Sequence, residues 1–169
     1  MPKHYLISDT HFLHEKLVQY GRPKDFSQIL FNNLNKLTEG DILIHLGDVC
    51  NGKDIEVHEK YIMPLKCKKW LVKGNHDNKS YNWYLSHGWD FVAEQMLLKY
   101  FGVNLIFTHI PIPVSALPEC HFNVHGHLHN EIHRGKKPSD RHLLVSSEYL
   151  NYSPISLETF LGKSKILKS

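Results

Sequence analysis

Cysteine is scarce in this chain. Cys50, Cys67 and Cys120 show no CxxC spacing and no even framework, which excludes a disulfide-stapled scaffold and points to a reducing compartment. Long apolar runs are missing too, and none approaches the ~20 residues that span a bilayer. Met1-Pro2-Lys3-His4 leads into a short apolar stretch with neither a signal core nor a cleavage site, so a cytoplasmic protein that engages no membrane is expected. No sign of charge dominates: 20 basic residues against 17 acidic ones give +3, too little for a nucleic-acid footprint by itself. The chain has no P-loop and no G-x-G-x-x-G, which leaves nucleotide binding by those routes unsupported. It also has no internal repeat, low-complexity tract or linker, so residues 1–169 read as a single domain with room for a real core.

Histidine is abundant: there are 14, and histidine is the commonest metal-ligating side chain. Where they fall depends on the elements around them. Short apolar runs read as buried strands at Tyr5–Ile7, Ile42–Ile44, Trp70–Val72, Val103–Phe107, Phe122–Val124 and Leu143–Val145. Helical spacing runs from Phe26 to Leu37 with Ser27 as N-cap, from Asp54 to Ile62 before Pro64, and from Lys79 to Ser86 before Gly88. The stretch from Trp89 to Phe107 reads as strands with a hairpin near Gly102. Strands alternating with helices imply an α/β arrangement.

The polar residues follow the strands. After the first comes Asp9-Thr10-His11, after the second Gly47-Asp48, after the third Gly74-Asn75-His76-Asp77. After Phe107 comes Thr108-His109, and after Val124 comes His125-Gly126-His127-Leu128-His129. In open α/β sheets the ligand site lies beyond the carboxyl ends of the strands, so these five ends would meet as one cluster. Asp9, His11, Asp48, Asn75, His109, His127 and His129 make seven side chains, too many for one four-coordinate zinc. They suit two cations sharing a carboxylate. A nitrogen and oxygen set without thiolate favours Mn²⁺, with Fe²⁺, Zn²⁺, Ni²⁺ or Co²⁺ as alternatives. Paired divalent cations recur in phosphate-ester hydrolysis.

In this order the elements D-x-H, G-D, G-N-H-D, a lone His and G-H-x-H resemble the calcineurin-like metallophosphoesterases, and the run Asp9 to His14 with Arg22-Pro23 resembles their small uncapped bacterial and phage members. The resemblance implies an α/β fold of two packed mixed β-sheets flanked by helices. It implies two divalent metal ions per chain, one held by Asp9, His11, Asp48 and His129, the other by Asp48, Asn75, His109 and His127, with Asp48 as bridge. Many members carry a second Asp three residues after the first in the G-D element, where this chain has Asn51, a position outside the ligand pattern.

The implied reaction is hydrolysis of a phosphate ester by water activated between the two cations. His76 is the expected donor of a proton to the leaving group, and Asp77 the expected hydrogen-bond partner of its ring. His14 and Arg22 are candidate substrate contacts, as is Arg134 in the basic loop carrying Lys136, Lys137 and Arg141. His45 reads as a hydrogen-bonded core residue; His58 and His142 carry no signal beyond surface or loop placement. With few residues left for a cap, an open site is expected, and a phosphodiester substrate such as a nucleotide or nucleic-acid end. A phosphomonoesterase with the same site, a non-catalytic phosphoesterase-like scaffold and a histidine-rich metal store remain as alternatives.

Overall fold

In the computed structural model, which describes residues 2–130, 137–164 and 166, the apolar runs become the strands of two sheets. The strands are β1 (Lys3–Ile7), β2 (Asp41–His45), β3 (Lys68–Val72), β4 (Phe91–Ala93), β5 (Met96–Tyr100), β6 (Val103–Phe107), β7 (His121–His125), β8 (His142–Leu144) and β9 (Ile155–Ser156). One sheet has the order β4-β3-β2-β1-β9, parallel except for β9; the other has the order β5-β6-β7-β8, with β5 antiparallel to β6 and the rest parallel. The helices are α1 (Phe26–Leu34), α2 (Asp54–Val57), which runs on into a π-helical turn at His58–Ile62, α3 (Tyr81–Ser86) and α4 (Leu157–Lys163). Two mixed sheets flanked by helices make this an α/β fold.

The first sheet is buried on both faces, which is why its strands read as unbroken apolar runs. Side chains alternate across it. Ile7, Leu43 and Leu71 face a core with Phe26, Leu30 and Leu34 of α1, Tyr61, Ile62 and Tyr84. Leu6, Ile44 and Val72 face the second sheet, where they meet Leu105, Phe107, Val124 and Phe160 of α4. Three parallel strands in register, Ile7 opposite His45 and His45 opposite Leu71, therefore end side by side.

Several local expectations are corrected. Ser27 lies inside α1 rather than capping it: Asp25 occupies the cap position, and the Ser27 hydroxyl accepts a hydrogen bond from the Leu13 amide at 3.0 Å. The helix stops at Leu34, three residues early, although Leu37 still packs in the core. A 3-10 helix at Glu15–Tyr20, the two-residue β9 and α4 escaped the pattern reading, because elements this short carry too few residues for a period to show. Ser156 ends β9 and caps α4 by accepting from the Thr159 amide at 3.2 Å.

His58 and His142 are interior, not surface, residues. Both ring nitrogens of His142 are engaged, Nδ1 with the Ser139 hydroxyl and Nε2 with the Ile112 carbonyl, each at 2.7 Å. His58 packs edge-on against Trp83 with centroids 4.9 Å apart; its Nδ1 donates to the Asp54 carbonyl at 2.8 Å while Nε2 has no partner. Burial pushes its pKa down to about 4. The unfolded chain therefore binds a proton here, near pH 6.5, before the folded chain does. The stabilisation from a neutral His58 is complete above about pH 6.5 and is lost as the pH falls towards 4. Between about pH 7.5 and 5, urea unfolding should show wild type losing about 2 kcal/mol more than His58→Gln. Equal losses in the two proteins would show that this ring does not set the acid sensitivity.

Candidate metal centre

The loops leaving β1 and β2 continue the pairing of their strands. The Asp9 amide donates to the Gly47 carbonyl at 2.9 Å and the His11 amide to the Asp48 carbonyl at 3.0 Å. The loops after β6 and β7 do likewise, the Gly126 amide reaching the His109 carbonyl at 3.0 Å. The backbone turns inward through left-handed conformations, with φ of 54° at Asp9, 45° at His11, 57° at Asp48, 67° at His127 and 46° at His129. Asp and His tolerate this region better than most residues, and strained backbone of this kind gathers at functional sites.

Two glycines let the loops close. A Cβ at Gly74 would collide with Asp48 Oδ1 and lie 2.5 Å from the Asp48 amide; one at Gly126 would lie 2.6 Å from Asp9 Oδ2. Both residues must present hydrogen alone to a carboxylate.

All seven expected donors converge. Asp9 is fully buried, accepts from the Ser8 hydroxyl at 2.5 Å and receives the His127 amide at 3.1 Å. Asp48 Oδ2 lies 3.5 Å from His11 Nε2 and 3.3 Å from His109 Nε2. Asn75 Oδ1 lies 3.0 Å from His109 Nε2 and 3.1 Å from His127 Nδ1. His129 Nε2 faces Asp9 Oδ1 at 3.9 Å. Two groups of donor atoms are compact enough to hold a cation, Asp9 with His11 and His129, and Asp9 with Asp48 and His109. Behind the centre, His109 Nδ1 is tied to the Leu46 carbonyl at 2.7 Å and His129 Nδ1 to Glu148 at 3.0 Å, the usual way a ligating imidazole is aimed.

Burial, helped by the neighbouring Asp48 charge, drives Asp9 up against the pull of His109, His129 and the Ser8 hydroxyl. Burial also opposes ionisation of Asp48, but the hydrogen bond and charge of His109 and the His76 amide outweigh it and hold Asp48 well below the usual carboxylate range. His109 is raised by the same contact and by Asp9, against its own burial. A cation bound here would take the place of that proton. The set of carboxylate, amide and imidazole donors without thiolate fits a divalent ion of the Mn²⁺ to Zn²⁺ series.

The other expected residues are distributed differently. His76 stands at the open side, its side chain 38% exposed, with Nε2 3.9 Å from Asp48 Oδ2. Asp77 does not orient that ring. Its buried carboxylate accepts from the amides of Asp48 at 2.8 Å, Val49 at 3.1 Å and Gly74 at 2.8 Å, so it joins the loops after β2 and β3. Two residues separated by one peptide bond point to opposite sides of a tight turn, which the reading of adjacent letters overlooked. His14 is half-buried beside His11, ring centroids 5.8 Å apart. Arg22 is not free to clamp a phosphate, because its guanidinium is buried and turned inward onto Asp9, Thr10 and Glu148. Arg134 and Lys136 lie outside the described residues. In the same loop Lys137 pairs with Asp140 at 3.0 Å, and Arg141 binds the Pro118 carbonyl at 2.7 Å.

Glu148 is the residue that the pattern missed. Burial pushes its carboxyl up, but the His129 hydrogen bond and the Arg22 charge hold it well below the usual range. The signal was available: Ser146-Ser147-Glu148 follows the strand run Leu143–Val145, just as the other donors follow theirs.

Acidic and imidazole donors assembled where the strands of two mixed sheets end, on a scaffold of this topology, are the equipment of a metal-dependent phosphoesterase. The chain belongs to the calcineurin-like phosphoesterase family, whose model matches residues 3–153. Members hydrolyse phosphate esters with divalent metals. The chain is similar to the uncharacterized protein MJ1445 of Methanocaldococcus jannaschii, 27% identical over 183 residues that cover 100% of this chain and 97% of the relative. Its fold is shared with AQ665 of Aquifex aeolicus, a protein of unknown function, at a TM-score of 0.75 and 25% identity over 96% of this chain and 99% of that one. The nuclease MPE of Pseudomonas putida aligns at a TM-score of 0.48 and 23% identity, covering 75% of this chain and 61% of its own. No helix among the described residues is long and apolar enough to cross a membrane.

Proposed function

We propose that this chain is a phosphodiesterase that works with two divalent cations, Mn²⁺ best suited among them. Asp9, His11, Asp48 and His129 would hold one, Asp48, Asn75, His109 and His127 the other. The observation that carries the reading is the pair of donor groups that meet at Asp9, together with Asp48 Oδ2 lying 3.5 Å from His11 Nε2 and 3.3 Å from His109 Nε2. When bound, such ions supply Lewis acidity and a water that is deprotonated near neutral pH. The rest belongs to the chain. His76 stands at the open side of the centre and gives a proton to the departing alkoxide. The Gly74–Asp77 turn fixes its backbone, the His76 amide donating to Asp48 Oδ1 at 2.9 Å.

Two features support a diester over a monoester. The side chains of His76 and His129 keep 38% and 32% exposure, so a bulky ester can approach. A cleft of about 260 Å³ lined by Lys73, Asn75, Glu94, Thr108, His109 and Ile110 opens beside the centre, with room for the second substituent. Nucleotides and nucleic-acid ends are phosphodiesters that such an opening could take. The test is hydrolysis of a chromogenic phosphodiester and a chromogenic phosphomonoester by chelator-stripped protein, with and without Mn²⁺. Metal-restored activity at least about tenfold in favour of the diester is expected. The reverse preference would make the protein a phosphatase with the same centre, and protein that binds two ions yet turns over neither ester would be a scaffold.

A further inference from the structure

Arg22 and Glu148 form a buried ion pair at 2.6 Å, their side chains 2% and 16% exposed. Glu148 Oε1 accepts from Arg22 Nε at 2.8 Å, from Arg22 Nη2 at 2.6 Å and from His129 Nδ1 at 3.0 Å. The guanidinium also reaches the other way, Nη2 to the Asp9 carbonyl at 2.6 Å and Nη1 to the Thr10 carbonyl at 2.7 Å. The Phe26 ring lies under it, 5.0 Å from the centroid. Two residues before Glu148, the Ser146 hydroxyl donates to the His129 carbonyl at 2.6 Å.

One short segment after β8 thus grips both the ring and the backbone of His129, and one guanidinium ties that segment to the loop bearing Asp9 and His11. Among the described contacts, none of these reaches Asn75, His109 or His127. The ring chemistry follows from the partner. A carboxylate accepts, so Nδ1 of His129 carries a hydrogen, which leaves Nε2, 3.9 Å from Asp9 Oδ1, as the atom that would face a cation. Arginine suits the other end because its planar fork serves a carboxylate and two carbonyls together, which an ammonium cannot do.

We propose that Arg22 and Glu148 are positioning residues for one of the two cation sites, fixing the tautomer and direction of His129 and its distance from the Asp9–His11 loop. The assignment rests on the two-cation reading above. It predicts an asymmetric defect, whereas an ion pair that merely holds the fold together would weaken both sites alike.

The experiment is calorimetric titration of chelator-stripped wild type, Glu148→Gln and Arg22→Lys with Mn²⁺, with thermal unfolding of each metal-free protein alongside. Glu148→Gln keeps an acceptor oxygen and removes the charge; Arg22→Lys keeps the charge and removes the fork, so the outcome does not hang on one variant folding. For each folded variant, one of two binding steps should weaken by about 10- to 100-fold while the other stays at its wild-type value. Two unchanged steps would overturn the positioning role and leave the two-cation reading standing. Equal weakening of both steps with a lowered Tm would mark a structural pair and overturn it as well. Wild type that binds no divalent cation would sink the metal reading and this assignment with it.

Discussion

Asp48→Asn is expected to fold, to lose at least one of its metals on dialysis, and to hydrolyse a phosphodiester roughly 10³-fold more slowly or worse. Folding should survive because asparagine has nearly the same shape and tolerates the left-handed backbone, here φ 57°. The Asp48 amide would still donate to Asp77, and Oδ1 can still receive the His76 amide. What disappears is the charge at Oδ2, which lies within 3.5 Å of His11 Nε2 and 3.3 Å of His109 Nε2. An amide nitrogen turned towards those two rings offers hydrogens where a bridging ligand must offer lone pairs. Elemental analysis of the dialysed variant decides the matter: two metals retained per chain would refute the bridge.

His76→Asn should separate chemistry from metal binding. The ring is 38% exposed and lies outside the seven-donor cluster, so both metals should remain. The turnover number should fall by about 10²- to 10⁴-fold for an alkyl leaving group, which departs as a strong base and needs a proton. For a nitrophenyl leaving group, stable as an anion, the fall should be much smaller. A loss of the same size for both esters would assign His76 to stabilising charge on the phosphoryl oxygens, and no loss for either would remove it from the reaction.

The sequence makes the centre more legible than the scaffold. The seven side chains that converge could be named because each follows an apolar strand run, and strand ends are where an α/β sheet places ligands. That argument uses only which residues come next, so it works without knowing how the strands pair. It gives no direction, and this is where it failed. His76 and Asp77 are neighbours in sequence, yet one ring opens to solvent while the other carboxylate staples Gly74 to Asp48 from behind. Arg22 read as a candidate substrate contact, but its charge is absorbed by Glu148, 126 positions away. Polarity alone misplaced His58 as well, since a neutral imidazole among Trp83, Tyr84 and Trp89 behaves as an aromatic core residue. Pairwise partners distant in the chain leave no periodic trace.

The order of the strands also bears on how the protein acquires its ions during biosynthesis. β1 emerges first, carrying Asp9 and His11, yet its free edge is covered by β9, and the ring of His129 is steadied by Glu148. Asp9 and the His127 amide are 118 positions apart. Chains fold from the N-terminus as they are made, at roughly 5–20 residues per second, so the early donors wait seconds for the late ones. A nascent chain with β1 to β3 formed would hold only Asp9, His11, Asp48 and Asn75, spread over open loops. Any selection among Mn²⁺, Fe²⁺ and Zn²⁺ by the full set would thereby fall to the finished polypeptide. Because intrinsic affinities of such donors generally rise from Mn²⁺ towards the later metals of the series, loading with Mn²⁺ would depend on the geometry of the finished centre and on which ions are free when synthesis ends.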